Sequence, residues 1–163
     1  MRYPIPLKLH KKSSQLQLDL FKPSYEAGDQ NKKPKINKGA VMLSMALPLN
    51  DGTDRMDWKN KVTMSLSVKD IADIISGVRS RENVKLYHNF EATNSVTTLN
   101  VELGNPGTYK WFMTKTVNGD KRMASIYLNK SEMFQAFTLL EAAIPLILGW
   151  GENNEMPAQL TTK

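Results

Sequence analysis

No cysteine occurs anywhere in the 163 residues, which removes disulfides and thiolate chemistry and fits a reducing compartment inside the cell. The chain also lacks any apolar run near the roughly 20 residues that a membrane-spanning helix needs. Residues 1–10 are broken by Pro4 and Pro6 and hold no continuous apolar stretch, so no membrane segment and no secretory leader is expected. Cytoplasm or nucleoid is the expected location, with an organelle left open. Motifs of catalysis are missing as well: there is no Gly-x-Ser-x-Gly, no Gly-x-x-x-x-Gly-Lys-Ser/Thr and no His-Glu-x-x-His. The two histidines, His10 and His88, fall on separate predicted strands with no acidic partner at ligand spacing. No metal, no cofactor and no enzymatic activity are therefore expected. Acid is scarce in one region only. Residues 1–40 carry nine Lys/Arg against three Asp/Glu, whereas 41–163 carry thirteen of each, so the net charge of +6 sits at the start. That asymmetry fits a polyanion near the first strands as well as it fits a solvated basic arm.

What is present is organised around residues 57–78. Its first half alternates: Trp58, Val62, Met64 and Leu66 share one face with Asn60, while Lys59, Lys61, Thr63 and Ser65 share the other. A period of two marks a strand with one buried and one wet face, and here the wet face is cationic. At Ser67 the period changes, and Ile71, Ile74, Ile75 and Val78 form one helical stripe. Ser67 with Asp70 reads as a capping box with Asp in the place of the usual Glu.

The remaining elements repeat that plan. Strands are predicted around Ile5, Leu7 and Leu9, over 12–22 with Leu16, Leu18 and Leu20 inward and Phe21 outward, and over 39–48. Between the last two, 24–38 is rich in Gly, Asp, Asn, Lys and Pro and predicts a long loop. The triplet Asp51, Asp54 and Asp57 fits a solvated hairpin turn. Further strands are predicted over 84–91 (Val84, Leu86, His88 and Phe90 inward), 96–103 and 109–117, the last closed by an Asn118-Gly119 hairpin. The strand over 121–128 follows, with Ala124, Ile126 and Leu128 inward. Asn129 and Glu132 then cap a helix to about Leu148. Each half is four strands and a helix, an α+β order of ββββα-ββββα, and 127–133 weakly repeats 65–71. One domain over 1–150 is expected, with a disordered tail at 151–163.

The final helix is more apolar than a surface helix should be. Its residues Phe134, Phe137, Leu140, Ile144 and Ile147 are expected at a subunit contact, with Pro145 kinking the last turn and Gly149 ending it. Cations beside rings recur on the predicted outward strand faces. Lys59 and Lys61 share one. Lys85 is next to Tyr87. Tyr109, Trp111 and Lys115 share another, and Lys121, Met123 and Tyr127 a fourth, with Phe21 as an outward aromatic. Lysines on a wet strand are usually solubilising, and outward tyrosines are common in sheets. Recurrence on four strands favours binding of single-stranded nucleic acid, through phosphates and base faces together. Trp58 and Trp150 are expected to be packing residues.

Three features resemble the Whirly family of single-stranded DNA-binding proteins. One is the ββββα-ββββα order. Another is Asp57-Trp58-Lys59-Asn60-Lys61 running to Leu66-Ser67, similar to the family's Asp-Trp-Glu-Lys-Lys…Leu-Ser. The third is Ile144-Pro145-Leu146-Ile147-Leu148-Gly149-Trp150, similar to its Leu-Pro-His-Ile-Met-Gly-Trp. The family's Lys-Gly-Lys-Ala-Ala-Leu-Ser-Val signature finds its nearest letters at 38–45, on the third strand rather than the second, so its role is not transferred. The resemblance implies two antiparallel four-stranded sheets packed crosswise with two helices. It also implies a homotetramer and single-stranded DNA coated with little sequence specificity in replication, recombination or repair. An RNA-binding or annealing factor, and a structural β-rich assembly subunit, are the alternatives.

Overall fold

The computed structural model describes residues 6–26, 28, 35–105 and 107–149. Ile5, Trp150 and the tail at 151–163 lie outside the described residues. In chain order the elements of the first half are β1 (Leu7–Lys11), β2 (Ser14–Phe21), β3 (Ser24–Glu26), β4 (Lys35–Asn37), β5 (Ala40–Ala46), β6 (Val62–Leu66) and α1 (Val68–Arg79). Those of the second are β7 (Val84–Phe90), a 3-10 turn at Glu91–Thr93, β8 (Ser95–Leu103), β9 (Thr108–Val117), β10 (Asp120–Asn129) and α2 (Lys130–Ile147). The first sheet is ordered β1-β2-β5-β6 and the second β7-β8-β9-β10, both antiparallel meanders. Each meander is followed by its helix, giving ββββα-ββββα. The 24–38 segment is not simply a loop, because its ends pair as a ribbon from Ser24–Asn37 to Glu26–Lys35.

The sheets cross. Strand β10 runs against β2, β5 and β6, and β6 runs against β8, β9 and β10. Between them lies one apolar core reaching from Leu16, Leu43 and Leu66 of the first sheet to Leu99, Trp111 and Ile126 of the second, all essentially inaccessible to water. Burying a side chain of this size contributes about 1.5–3 kcal/mol each, before the cost of ordering the chain.

Both predicted capping boxes form. Ser67 and Asp70 exchange hydrogen bonds at the start of α1, and Asn129 and Glu132 do so at the start of α2. Folding then gives each capping carboxylate a partner from the opposite sheet. Asp70 Oδ1 lies 3.2 Å from His88 Nε2 of β7, and Glu132 Oε1 lies 2.6 Å from Lys11 Nζ of β1. As β1 and β7 open their respective meanders, the two bridges are equivalent in the repeat. His88 thus has an acidic neighbour that its sequence spacing hides.

The buried stripe of α2 is Met133, Ala136, Leu140, Ala143 and Ile147. It is rotated from the expected one toward the two alanines, whose small side chains let the helix sit close to the sheets. Gly39 shows how close: a Cβ there would lie 2.8 Å from the Ile147 Cα. Two residues expected at a subunit contact, Leu140 and Ile147, are therefore core residues of this chain. Phe137 and Ile144 pack against the core half-buried, and Phe134 alone of the five is open, 72% exposed. Pro145 lies within the helix, which continues to Ile147, and Gly149 follows with a left-handed φ of 76°.

Candidate nucleic-acid interface

The strand register fixes what each outer face presents. On the second sheet Tyr127 pairs with Lys110, which pairs with Glu102. One step along, Ser125, Phe112, Asn100 and Lys85 stand in a row across all four strands. The next row is Met123, Thr114, Thr98 and Tyr87, and the one after begins with Lys121 and Thr116. All of these point away from the core. Tyr87, Met123 and Tyr127 are at least half exposed. The rings Tyr127, Phe112 and Tyr87 descend diagonally from β10 to β7, across about 14 Å of sheet at the usual strand spacing. Lys110 Nζ lies 5.4 Å from the centre of the Phe112 ring, and the Thr98 and Thr114 hydroxyls bond across the strands at 2.7 Å. The lysines Lys85, Lys110 and Lys121 flank the rings, with Glu102 the acid in these rows. A flat surface of rings edged by cations can stack bases and hold phosphates without reading base edges.

Lys85, Tyr87, Lys121, Met123 and Tyr127 therefore share one outer face, but β9 contributes a different set. Trp111 faces inward, fully buried, its indole N–H donating to the Met133 sulfur at 3.3 Å. Tyr109 and Lys115 share that inner side, both half-buried. The outward cation and ring of β9 are Lys110 and Phe112, which the sequence reading missed. The signal was present. The Asn118-Gly119 turn, with φ of 50° and 90°, pairs Val117 with Asp120, and counting back puts Trp111 opposite the inward Ile126. Phe90, expected inward, is half exposed at the end of β7.

Lys59 and Lys61 are exposed but precede the strand, which begins at Val62. The Asp57 carboxylate accepts from the Asn60 backbone N–H at 3.1 Å and its carboxamide at 2.7 Å, folding 57–60 into a turn that breaks the alternation. Trp58 is half-buried here rather than in the core, with Lys61 Nζ 5.9 Å from its ring centre. The Asn60 hydrogen bond holds the Asp57 carboxyl below its ordinary value, and the charge of Arg122 across on β10 acts the same way. Asp51 ties down the outer end of this connection, accepting from Thr53 and Arg55.

On the first sheet the outer face differs. Phe21 is its half-buried aromatic, beside Ala40, and the other rows hold Lys8, Gln17, Ser44 and Thr63, then Asp19, Met42 and Ser65. Among the described residues no group of three or more His, Asp and Glu is placed to hold a metal ion, and no helix is long and apolar enough to cross a membrane.

With this geometry in view, likeness to known proteins is informative. The model of the Whirly family, described as Whirly transcription factor, matches residues 9–134. Among solved structures, WHY3 from Arabidopsis thaliana superposes with a TM-score of 0.75 at 20% identity, covering 91% of this chain and 90% of that one. The plant transcriptional regulator PBF-2 gives 0.74 at 22% identity, covering 90% and 83%. The trypanosoma bruciei MRP1/MRP2 structure gives 0.60 at 12% identity, covering 92% and 90%. Comparison with curated protein sequences gave no match.

Proposed function

The chain belongs to the Whirly family, and on that premise we propose that it binds single-stranded DNA with little sequence preference, coating strands exposed in replication, recombination or repair. The observation that carries this reading is the outer face of the second sheet, where Lys85, Lys110 and Lys121 flank Tyr87, Phe112 and Tyr127. Sequence-tolerant binding of single strands needs those two ingredients, cations for phosphate and π-faces for bases. The description of the family as transcription factors, and of PBF-2 as a transcriptional regulator, supports DNA as the polymer. Lys59 and Lys61 extend the footprint from the β5–β6 connection. Trp111 leaves it, because a fully buried indole stacks on nothing outside.

The binding unit in this reading is a homotetramer. Phe134 stands beside an open apolar groove of about 430 Å³ lined by Leu7, Leu20, Leu139 and Leu146. Soluble chains seldom leave such a surface uncovered, and a second copy of this chain would cover it. The contact therefore moves from the expected Leu140 and Ile147 to Phe134 and this groove.

A mobility shift with duplex DNA and RNA of the same sequence as competitors, run beside sizing of the free protein, tests both parts. Single-stranded DNA should stay bound against excess duplex and RNA, and the mass should be near four chains. Replacing Lys85, Lys110 and Lys121 together by alanine should flatten the dependence of log affinity on log salt by about 2, roughly 0.7 for each lost phosphate contact. A lone subunit that ignores oligonucleotides in dilute buffer would end this reading, and stronger competition by RNA would move it to RNA.

A further inference from the structure

A cleft of about 310 Å³ opens where the β5–β6 connection meets β10. Its floor is apolar and buried, made by Met45, Val62 and Ala124, so both sheets contribute to it. Asn50, Asp57, Asn60 and Arg122 stand around it and are more exposed. Two successive residues of β10 border it, Arg122 from the inner face and Met123 from the outer. β10 is the edge strand of the second sheet, so the cleft lies at that edge. Met123 also ends the row that runs across the outer face to Tyr87. A strand lying on that face reaches the cleft without leaving the surface.

The wall is held before any ligand arrives. The Asp57 backbone N–H donates to the Leu47 carbonyl and that of Leu49 to Arg55, both at 2.8 Å, and Pro48 bridges to Met56. The Asp57 carboxylate is oriented by its two bonds from Asn60. An ionised carboxylate has about four acceptor positions, so both oxygens keep capacity for further donors.

We propose that this cleft takes one base of the bound strand and reads it as guanine, with Asp57 accepting from N1–H and N2–H and Arg122 donating to O6. The inference rests on the reading of the outer face as a single-strand platform. Guanine is the base whose free pairing edge offers two adjacent N–H donors beside a carbonyl acceptor, matching a carboxylate beside a guanidinium. Adenine and cytosine present one exocyclic amine next to a ring acceptor that a carboxylate repels. Thymine sets its single N–H between two carbonyls. The buried floor removes competing water, which strengthens the polar contacts. Sequence preference then enters at one position in an otherwise tolerant footprint.

The test uses the full chain and oligo-dT carrying one central dG, dA or dC. The dG oligomer should bind about tenfold more tightly than the other three, the discrimination of one good bidentate pair. Asp57→Asn and, separately, Arg122→Gln should bring that preference to within about twofold while keeping affinity for plain oligo-dT. Melting curves check that each variant is folded, and Arg122→Gln carries the test alone if loss of the Asp57 turn unfolds the first. Equal affinity for all four oligomers, preference for dC or dA, or preference unchanged in a folded variant would overturn the guanine cleft while leaving the platform standing. Micromolar binding of dGMP by itself would overturn it in favour of a free-nucleotide site. Failure of the unsubstituted chain to bind any of the oligomers would instead remove the platform.

Discussion

The two sheets repeat one meander, yet their outer faces are built for different things. That of the second sheet leaves Tyr87, Met123 and Tyr127 at least half exposed and surrounds them with lysine. That of the first buries polar side chains instead, with Gln15, Asp19 and Ser44 each at 5% exposure or less. The joins differ in the same sense. The second sheet turns tightly at Asn118 and Gly119, while the first inserts the β3–β4 ribbon between β2 and β5 and a 15-residue-scale connection before β6 (residues 47–61). A repeated scaffold has divided its labour. One outer face stays accessible, and the other half puts its extra chain into ordered connections, one of which reaches across to β10.

Two neighbours on β9 give the strongest contrast. Trp111→Ala should cost about 3–5 kcal/mol, because it empties a fully buried site and strands the Met133 sulfur contact. In a domain of this size that lowers the melting temperature by roughly 10 °C or more. Phe112→Ala, at a partly buried ring on the outer face, should cost much less, about 1 kcal/mol, yet weaken oligonucleotide binding severalfold. If the two variants exchanged these phenotypes, the facing of β9 would be wrong and the platform with it.

Next in size is the contrast between the sheets themselves. Tyr87→Ala with Tyr127→Ala should weaken single-strand binding by about 30-fold or more, as stacking is worth roughly 1–3 kcal/mol per base. Phe21→Ala, on the first sheet, should change it by less than about twofold. Comparable losses from both, measured by fluorescence titration at one salt concentration, would show the faces sharing the strand equally.

Much of this architecture was legible because its signals are local. Ser67 with Asp70, Asn129 with Glu132, and Asn118-Gly119 each need only a few neighbouring residues to form. Alternation placed Lys85, Tyr87, Lys121, Met123 and Tyr127 on the correct side. What was hidden depends on partners far along the chain. The facing of Trp111 follows from pairing with β10, and the rotation of α2 follows from Ala136 and Ala143 fitting where larger residues would not. Alanine carries little weight in an apolar stripe read from sequence, though it is what close packing selects. Lys59 and Lys61 were misplaced for the opposite reason, as the short-range turn from Asp57 to Asn60 overrode a period of two that looked continuous.

The smallest effect concerns the two bridges that tie each half to the other. Burial works against the Asp70 carboxylate, but hydrogen bonds from Ser67 and His88 outweigh it and hold its pKa below the ordinary 3.8. Glu132 is likewise held below 4.5, with burial opposed by Lys11 and the Asn129 backbone. A folded-state pKa lower than the unfolded one means the unfolded chain binds more protons between the two values, so stability rises with pH across that interval. The contribution is complete above about pH 4–5 and is lost as pH falls through the folded values. Asp70→Asn should therefore lower the melting temperature near neutrality by an amount matching about 1 kcal/mol, the usual worth of a helix cap. Its difference from the unsubstituted chain should close as pH falls through the folded-state value, below 3.8. Glu132→Gln should behave similarly but less strongly, since its Lys11 partner is more exposed than His88, at 32% against 20%, and water screens the pair. A gap that instead widened in acid would mean that the carboxylates are destabilised in the fold, and that the two halves are not held together through their caps.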